Sequence, residues 1–317
     1  MAQKKYDFAT TTSITSTYAG EFAGKYISAA LLSGSTIENG LITVKPNVKF
    51  KEVLKKVATD ANVIKDATCD FTPTGTLTLT ERILQPEEFQ INLNLCKKDF
   101  RSDWEAVQMG FSAYDNLPPA FSDFILAHVA GLVAEKTEQN IWSGQTGNAG
   151  EFDGFYYLAT AAGAGTVPVT GSPLDSSNII DEIGKVVDKI PSGVYGKEDL
   201  HIYLSRKAMK LYVRALGGFA ANGLGANGVN AQGTQWYNNG ALSYDGVKVV
   251  IGSGLPDDSM MAAQKSNLFF GTGLLSDHNE VKLLDMGDLD GSQNVRVVMR
   301  FTAGVQIGIA EDVVIYA

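Results

Sequence analysis

Apolar and polar positions repeat along this chain with two different periods, and the changes of period divide it. Phe50, Val53, Leu54 and Val57 fall at i, i+3, i+4 and i+7, with Lys51, Lys55 and Lys56 between them. That spacing is one face of a helix and predicts a basic amphipathic helix here. The period then becomes two. Thr76-Leu-Thr-Leu-Thr80 and Phe89-Gln-Ile-Asn-Leu-Asn-Leu95 alternate, so each predicts a strand with one apolar face. Pro73-Thr-Gly75 is a turn signal, and Leu84-Gln-Pro86 between the two strands permits a reversal. The segment reads as a long antiparallel hairpin whose apolar row is Leu77, Leu79, Ile83, Phe89, Ile91 and Leu93.

A longer helical pattern follows Pro118 and Pro119, which suit the first turn of a helix. Phe121, Phe124, Ile125, His128, Val129, Leu132 and Val133 keep helical spacing, and the pattern persists to about Trp142 before Ser143-Gly144 stops it. At 1.5 Å per residue this helix spans roughly 37 Å. Residues 160–173 read as a connection. Asn178 then caps a helix with Ile179, Ile183, Val186, Val187 and Ile190 on its buried face. Leu200-His-Ile-Tyr-Leu204 reads as a buried strand, and Ser205 opens a further helix to about Leu216. This alternation predicts a small mixed α/β domain. Residues 217–240 are Gly- and Asn-rich, the composition of a flexible loop. Residues 247–251 and 261–271 read as strands, and residues 295–316 are β-rich. Before Phe50 the chain reads as a loose arm with a short Ala-rich helix over residues 20–32.

Charge adds an asymmetry. The net charge is -9, yet residues 1–65 carry nine lysines against five acids, which leaves the remainder strongly acidic. An acidic body argues against sequence-specific DNA binding, which needs a basic footprint. No run of about 18 apolar residues is present, so no helix is expected to span a membrane, and the start of the chain shows no signal peptide; cytoplasmic synthesis is expected. Cys69 and Cys96 flank the Thr-rich segment and are expected to be reduced thiols.

Few residues of the chain fall in patterns that carry chemistry. His128, His201 and His278 fall in different elements, and His128 reads as a satisfied core residue. Gly223-Leu-Gly225-Ala-Asn-Gly228 matches GxGxxG but lacks the strand before it and the helix after it that a dinucleotide site needs. Asp285, Asp288 and Asp290-Gly291 resemble part of a calcium loop, but Val297 falls where a bidentate Glu is required, so an acidic turn between strands is the better reading. No catalytic residue, cofactor site or metal site is assigned.

The order of elements, with certain residues, carries a resemblance. Lys97-Lys-Asp-Phe100 leading to Trp104, Leu117-Pro-Pro-Ala-Phe121 followed by Glu135, Glu138 and Ile141-Trp-Ser-Gly144, and then Phe152-Asp-Gly154-Phe155 are similar to the entry, body and exit of the spine helix in tailed-bacteriophage major capsid proteins of the Hong Kong 97 family. The resemblance implies an α+β fold: residues 1–65 an N-terminal arm and basic helix, 66–98 an extended β-hairpin loop, 99–175 and 280–317 a peripheral domain built round the spine helix, and 176–279 a mixed α/β axial domain. It implies a non-enzymatic coat protein that self-assembles through pentamers and hexamers into an icosahedral head enclosing double-stranded DNA. The virion is its implied location, with assembly in the host bacterial cytoplasm.

The implied partners are other copies of the chain, scaffolding, portal or decoration proteins, and packaged DNA by non-specific contact, with no membrane. A hairpin that exposes an apolar face and unpaired edges is what soluble monomers avoid, so Leu77, Leu79, Ile83, Phe89, Ile91 and Leu93 are the expected self-assembly residues. No lysine lies between Lys65 and Lys97, so the family's Lys–Asn cross-link from this loop is not expected. The lysine-rich arm is expected to face the shell interior. Three other readings stay open: an encapsulin-type compartment of the same fold, an α/β nucleotide-binding enzyme using the GxGxxG, and a monomeric surface-binding protein.

Overall fold

A computed structural model describes residues 35–59, 66, 69, 77–96, 119–216, 242–273, 280–286, 292 and 294–317. The arm helix expected over 20–32, the residues from Lys97 to Trp104, the Gly-rich loop with its GxGxxG, His278, and Asp288 with Asp290-Gly291 lie outside them. In chain order the elements are α1 (Ser35–Glu38), β1 (Thr43–Pro46), β2 (Glu52–Thr59), β3 (Leu77–Leu84), β4 (Glu87–Cys96), α2 (Pro119–Ser143), α3 (Phe155–Thr160), β5 (Val167–Val169), α4 (Ile179–Asp188), β6 (Leu200–Leu204), α5 (Arg206–Leu216), β7 (Ser243–Tyr244), β8 (Val247–Ile251), β9 (Met260–Gln264), β10 (Leu268–Thr272), β11 (Glu280–Asp285), β12 (Asn294–Ile307) and β13 (Val314–Tyr316). This is a mixed α+β chain, and it divides into two compact units.

The first unit includes residues 87–137 and 272–303. In it β4 and β11 flank β12, both antiparallel. Phe89, Ile91 and Leu93 stand opposite Phe301, Met299 and Val297. Cross-strand neighbours share a face, and Met299 and Val297 are fully buried. Along α2 the buried positions Val129, Ala130, Val133 and Thr137 keep to one stripe.

The second unit includes residues 35–86, 138–271 and 304–317. Its core is a six-stranded mixed sheet in the order β5-β13-β9-β6-β8-β7. All five residues of β6 are buried, the mark of a strand covered on both faces. Ile179, Ile183 and Val186 of α4 and Ala208, Met209 and Tyr212 of α5 pack into this core. The Ser205 hydroxyl accepts from Ala208 N (3.3 Å), as an N-cap should. The cap at Asn178 differs from expectation: its side chain accepts from Asp175 N, while the Asp175 carboxylate takes the amides of Ser177 and Asn178. The expected connection over 160–173 includes β5, parallel to β13. The strand expected over 261–271 is two, β9 and β10, broken by a 3-10 turn at Lys265–Asn267.

Two expectations fail more consequentially. Residues 52–59 are a strand, not a helix, and β2 pairs antiparallel with β3 over Glu52↔Leu84 to Thr59↔Leu77. β3 and β4 therefore do not form a hairpin with each other, because β3 pairs with β2 and β4 with β12. Eight residues are too few for the helical period to be decisive: Lys51, Val53, Lys55 and Val57 alternate in exposure with Glu52, Leu54 and Lys56.

The last turn of α2 anchors the start of the second unit. Glu138 is buried, and its carboxylate accepts from Thr36 N (3.1 Å), the Thr36 hydroxyl and the Ser35 hydroxyl (3.1 Å). Trp142 Nε1 donates to Thr36 Oγ1 (2.8 Å), its ring packs on Phe155 and Tyr203, and the Tyr203 hydroxyl donates to Leu41 O (2.6 Å). Removing the acceptor would leave two buried donors of Thr36, its amide and its hydroxyl, without their partner. Glu138→Ala is expected to lower the unfolding free energy by about 2–4 kcal/mol, read from urea denaturation of the unassembled subunit.

Candidate assembly surface

Directly opposed residues of an antiparallel pair share a face, so the register of β2 and β3 sorts the ribbon into two sides. One side carries the pairs Val53/Ile83, Lys55/Glu81 and Val57/Leu79, with Leu77 beyond them. The other carries Glu52/Leu84, Leu54/Arg82 and Lys56/Thr80.

The first side is open. Val53 and Ile83 are 43% and 44% exposed, Val57 58%, and Leu77 and Leu79 65% each. Burying aliphatic side chains of this size from full exposure gains about 1.5–3 kcal/mol each, so this partly covered set stands to gain on the order of 5 kcal/mol together. Lys55 opposite Glu81 puts a complementary charge pair inside the apolar row. Phe50, at the root of the ribbon, is 71% exposed beneath Lys51 Nζ (5.2 Å to the ring centroid).

The second side is tied down. Leu84 is fully buried where β10 carries Gly271; a Cβ on that glycine would meet Leu84 Cδ2 at 2.9 Å. Lys56 Nζ donates to Glu311 Oε2 (2.9 Å), Arg82 Nη2 to Ala164 O (2.6 Å) and Lys45 Nζ to Glu52 Oε1 (2.8 Å). Gln306 Nε2 donates to Ile83 O (2.9 Å). The Lys56 ammonium holds the Glu311 carboxyl below the usual glutamate range, with Arg82 adding to the effect.

No protein-family model and no curated protein matches the sequence. Solved structures match in fold. The capsid of an empty GTA particle superposes with a TM-score of 0.61 at 13% identity, over 90% of this chain and 96% of that one. The procapsid of satellite phage P4 gives 0.56 at 11% identity, over 96% and 92%. Gordonia phage Cozz gives 0.55 at 13% identity, over 100% and 89%. The chain has the fold of phage capsid proteins.

Within this capsid fold the six expected assembly residues separate. Leu77, Leu79 and Ile83 lie on the open ribbon side. Phe89, Ile91 and Leu93 lie on β4 in the other unit, the first two half-buried and Leu93 37% exposed; Phe89 packs against Phe301 with ring centroids 5.6 Å apart. Val53 and Val57 were not among the expected residues, because they were read as part of the apolar face of a helix. Their β-branching and two-residue alternation with Lys55 were the available signal.

His128 is exposed rather than buried. His201 is buried in β6, its Nδ1 2.8 Å from Asp199 O. Burial depresses its pKa below the ordinary 6.5, and the charges of Lys248 and Lys265 act in the same direction. No helix among the described residues is long and apolar enough to cross a membrane, and no cluster of His, Cys, Asp or Glu among them suits a metal ion.

A depressed histidine binds its proton more readily in the unfolded chain. Its contribution to stability is therefore present above 6.5 and lost as pH falls through the lower folded value. Urea unfolding of the unassembled subunit at about pH 7.5 and about pH 5.5 is expected to show this loss, and His201→Gln is expected to flatten it.

Proposed function

We propose that this chain is the major capsid protein of a tailed bacteriophage, a non-enzymatic subunit that binds copies of itself into a closed shell. The observation that carries the reading is the open apolar side of the β2–β3 ribbon on a chain with the fold of phage capsid proteins. A two-stranded ribbon is marginal by itself, and an exposed apolar face with free edges invites pairing. A second copy laid across Val53, Val57, Leu77, Leu79 and Ile83 would cover it. Such a contact joins unlike surfaces, and heterologous contacts that close by rotation build rings.

In this reading the β2–β3 ribbon is the extended loop. The spine is α2, and the six-stranded sheet with α4 and α5 belongs to the domain that gathers round the five- and six-fold axes of pentamers and hexamers. Phe89, Ile91 and Leu93 would contribute to a shell contact only along the exposed rim of β4. The acidic body lacks the basic footprint of a sequence-specific DNA binder, so non-specific contact with packaged double-stranded DNA would fall to the lysine-rich N-terminal residues, facing inward.

The purified chain is expected to form shells visible by negative stain. Val57→Asp with Leu79→Asp is expected to leave the circular dichroism spectrum unchanged and to hold the protein as subunits or small oligomers in sedimentation. A parent chain that stays monomeric at high concentration would overturn the reading.

A further inference from the structure

The ribbon's closed side poses a separate question, because what holds its root decides where its open side points. We propose that residues 161–166 and 308–312 form an acceptor cradle that grips Lys56 and Arg82 and so sets the direction of the β2–β3 ribbon. The use of such a device rests on the assembly reading; its existence does not.

Both cations lie on the side opposite the apolar row, one from each strand. Each meets an acceptor from a different loop: Lys56 Nζ the Glu311 carboxylate at 2.9 Å, and Arg82 Nη2 the Ala164 carbonyl at 2.6 Å. Two grips on two strands resist twisting as well as lifting.

The acceptors are built rather than incidental. Gly163 and Gly165 bracket Ala164 with φ of 79° and 81°, a conformation that glycine adopts without strain, and the carbonyl between them is the one that accepts from Arg82. The same loop is closed by Ala164 N to Ala161 O (3.0 Å) and by the Thr166 hydroxyl to Ala159 O (2.5 Å). The two loops are then joined. Val167 N donates to Val313 O (2.9 Å), β5 runs parallel to β13, and a Cβ on Gly165 would lie 3.6 Å from Ala310 Cβ. The cradle therefore moves with the edge of the six-stranded sheet, and the ribbon root moves with the cradle.

The grip is ionic and partly wet. The Lys56 side chain is 28% exposed and that of Glu311 65%. Dissolved salt weakens an exposed pair of this kind. Acid does so only below the ordinary glutamate range, because Lys56 holds Glu311 ionised. The cradle thus stays closed through neutral pH and is loosened by ionic strength. That makes it a strap whose tension the solution sets.

Hydrogen exchange of the full-length, unassembled subunit tests this directly. Glu311→Gln and Arg82→Leu are each expected to speed exchange across β2 and β3 by about two- to five-fold, the range of an exposed ion pair, while β6 stays unchanged. The swapped pair Lys56→Glu with Glu311→Lys is expected to restore slow exchange. Added salt is expected to speed the ribbon amides of the parent more than those of Glu311→Gln. Unchanged ribbon exchange in both single variants would overturn the proposal, and so would an acceleration shared equally by β6. Because the measurement is made on subunits, failure of the parent to form shells would refute the assembly reading and leave this result standing.

Discussion

The register between β2 and β3 is the constraint on which the proposed assembly surface depends. Side chains alternate across a strand, so a slip of one residue would exchange the ribbon's two sides, turning Lys56 and Arg82 outward and Val57 and Leu79 toward the body. What fixes the register sits at the root. Leu84 fills the space that Gly271 leaves open, and Gln306 holds the neighbouring carbonyl of Ile83. A short apolar plug and one backbone tie therefore decide which side chains a partner would meet.

The same root explains why the reversal expected at Leu84-Gln-Pro86 does not make a hairpin. Gly304 passes beneath that link, and a Cβ there would meet Gln85 O and Pro86 Cα at 3.0 Å. The backbone of β12 comes as near as glycine allows, so Gln85 and Pro86 cross over a strand rather than turn between two. A proline without an amide donor suits such a crossing. The chain leaves β3 at this point and takes up β4, whose partner is β12, from the far end of the sequence.

Elements whose pattern is long or uninterrupted were legible in the sequence. The 25 residues of α2 were bounded correctly by Pro119 and Ser143, since a proline start and a Ser-Gly stop act locally. β6 and α5 were read from five consecutive large apolar or aromatic positions and a serine cap. Strand partners were not legible, because pairing is settled by contacts that no local period records. β2 was misread for a different reason. Within Glu-Val-Leu-Lys-Lys-Val-Ala-Thr the apolar residues at 53, 54, 57 and 58 fit the helical template better than the alternating one, and packing at Leu84 and Glu311 overrides that local preference. Of the open side of the ribbon, Leu77, Leu79 and Ile83 were legible from a two-residue period, whereas Val53 and Val57 belong to the strand that was read as a helix.

Charge acts on the two ends of the ribbon in opposite directions. A net charge of -9 makes copies of this chain repel one another at long range, and added salt screens that repulsion. A contact across Val53, Val57, Leu77, Leu79 and Ile83, as proposed, would be apolar and would depend little on ionic strength, apart from the Lys55/Glu81 pair set among them. The Lys56–Glu311 grip, by contrast, weakens as salt rises. Low salt therefore holds the ribbon at a fixed angle while keeping subunits apart. High salt lets them approach while freeing the ribbon to adjust. Under the proposed function, a subunit that must fit both five- and six-fold surroundings gains from that pairing, because the conditions that bring copies together also release the element that has to adapt to them.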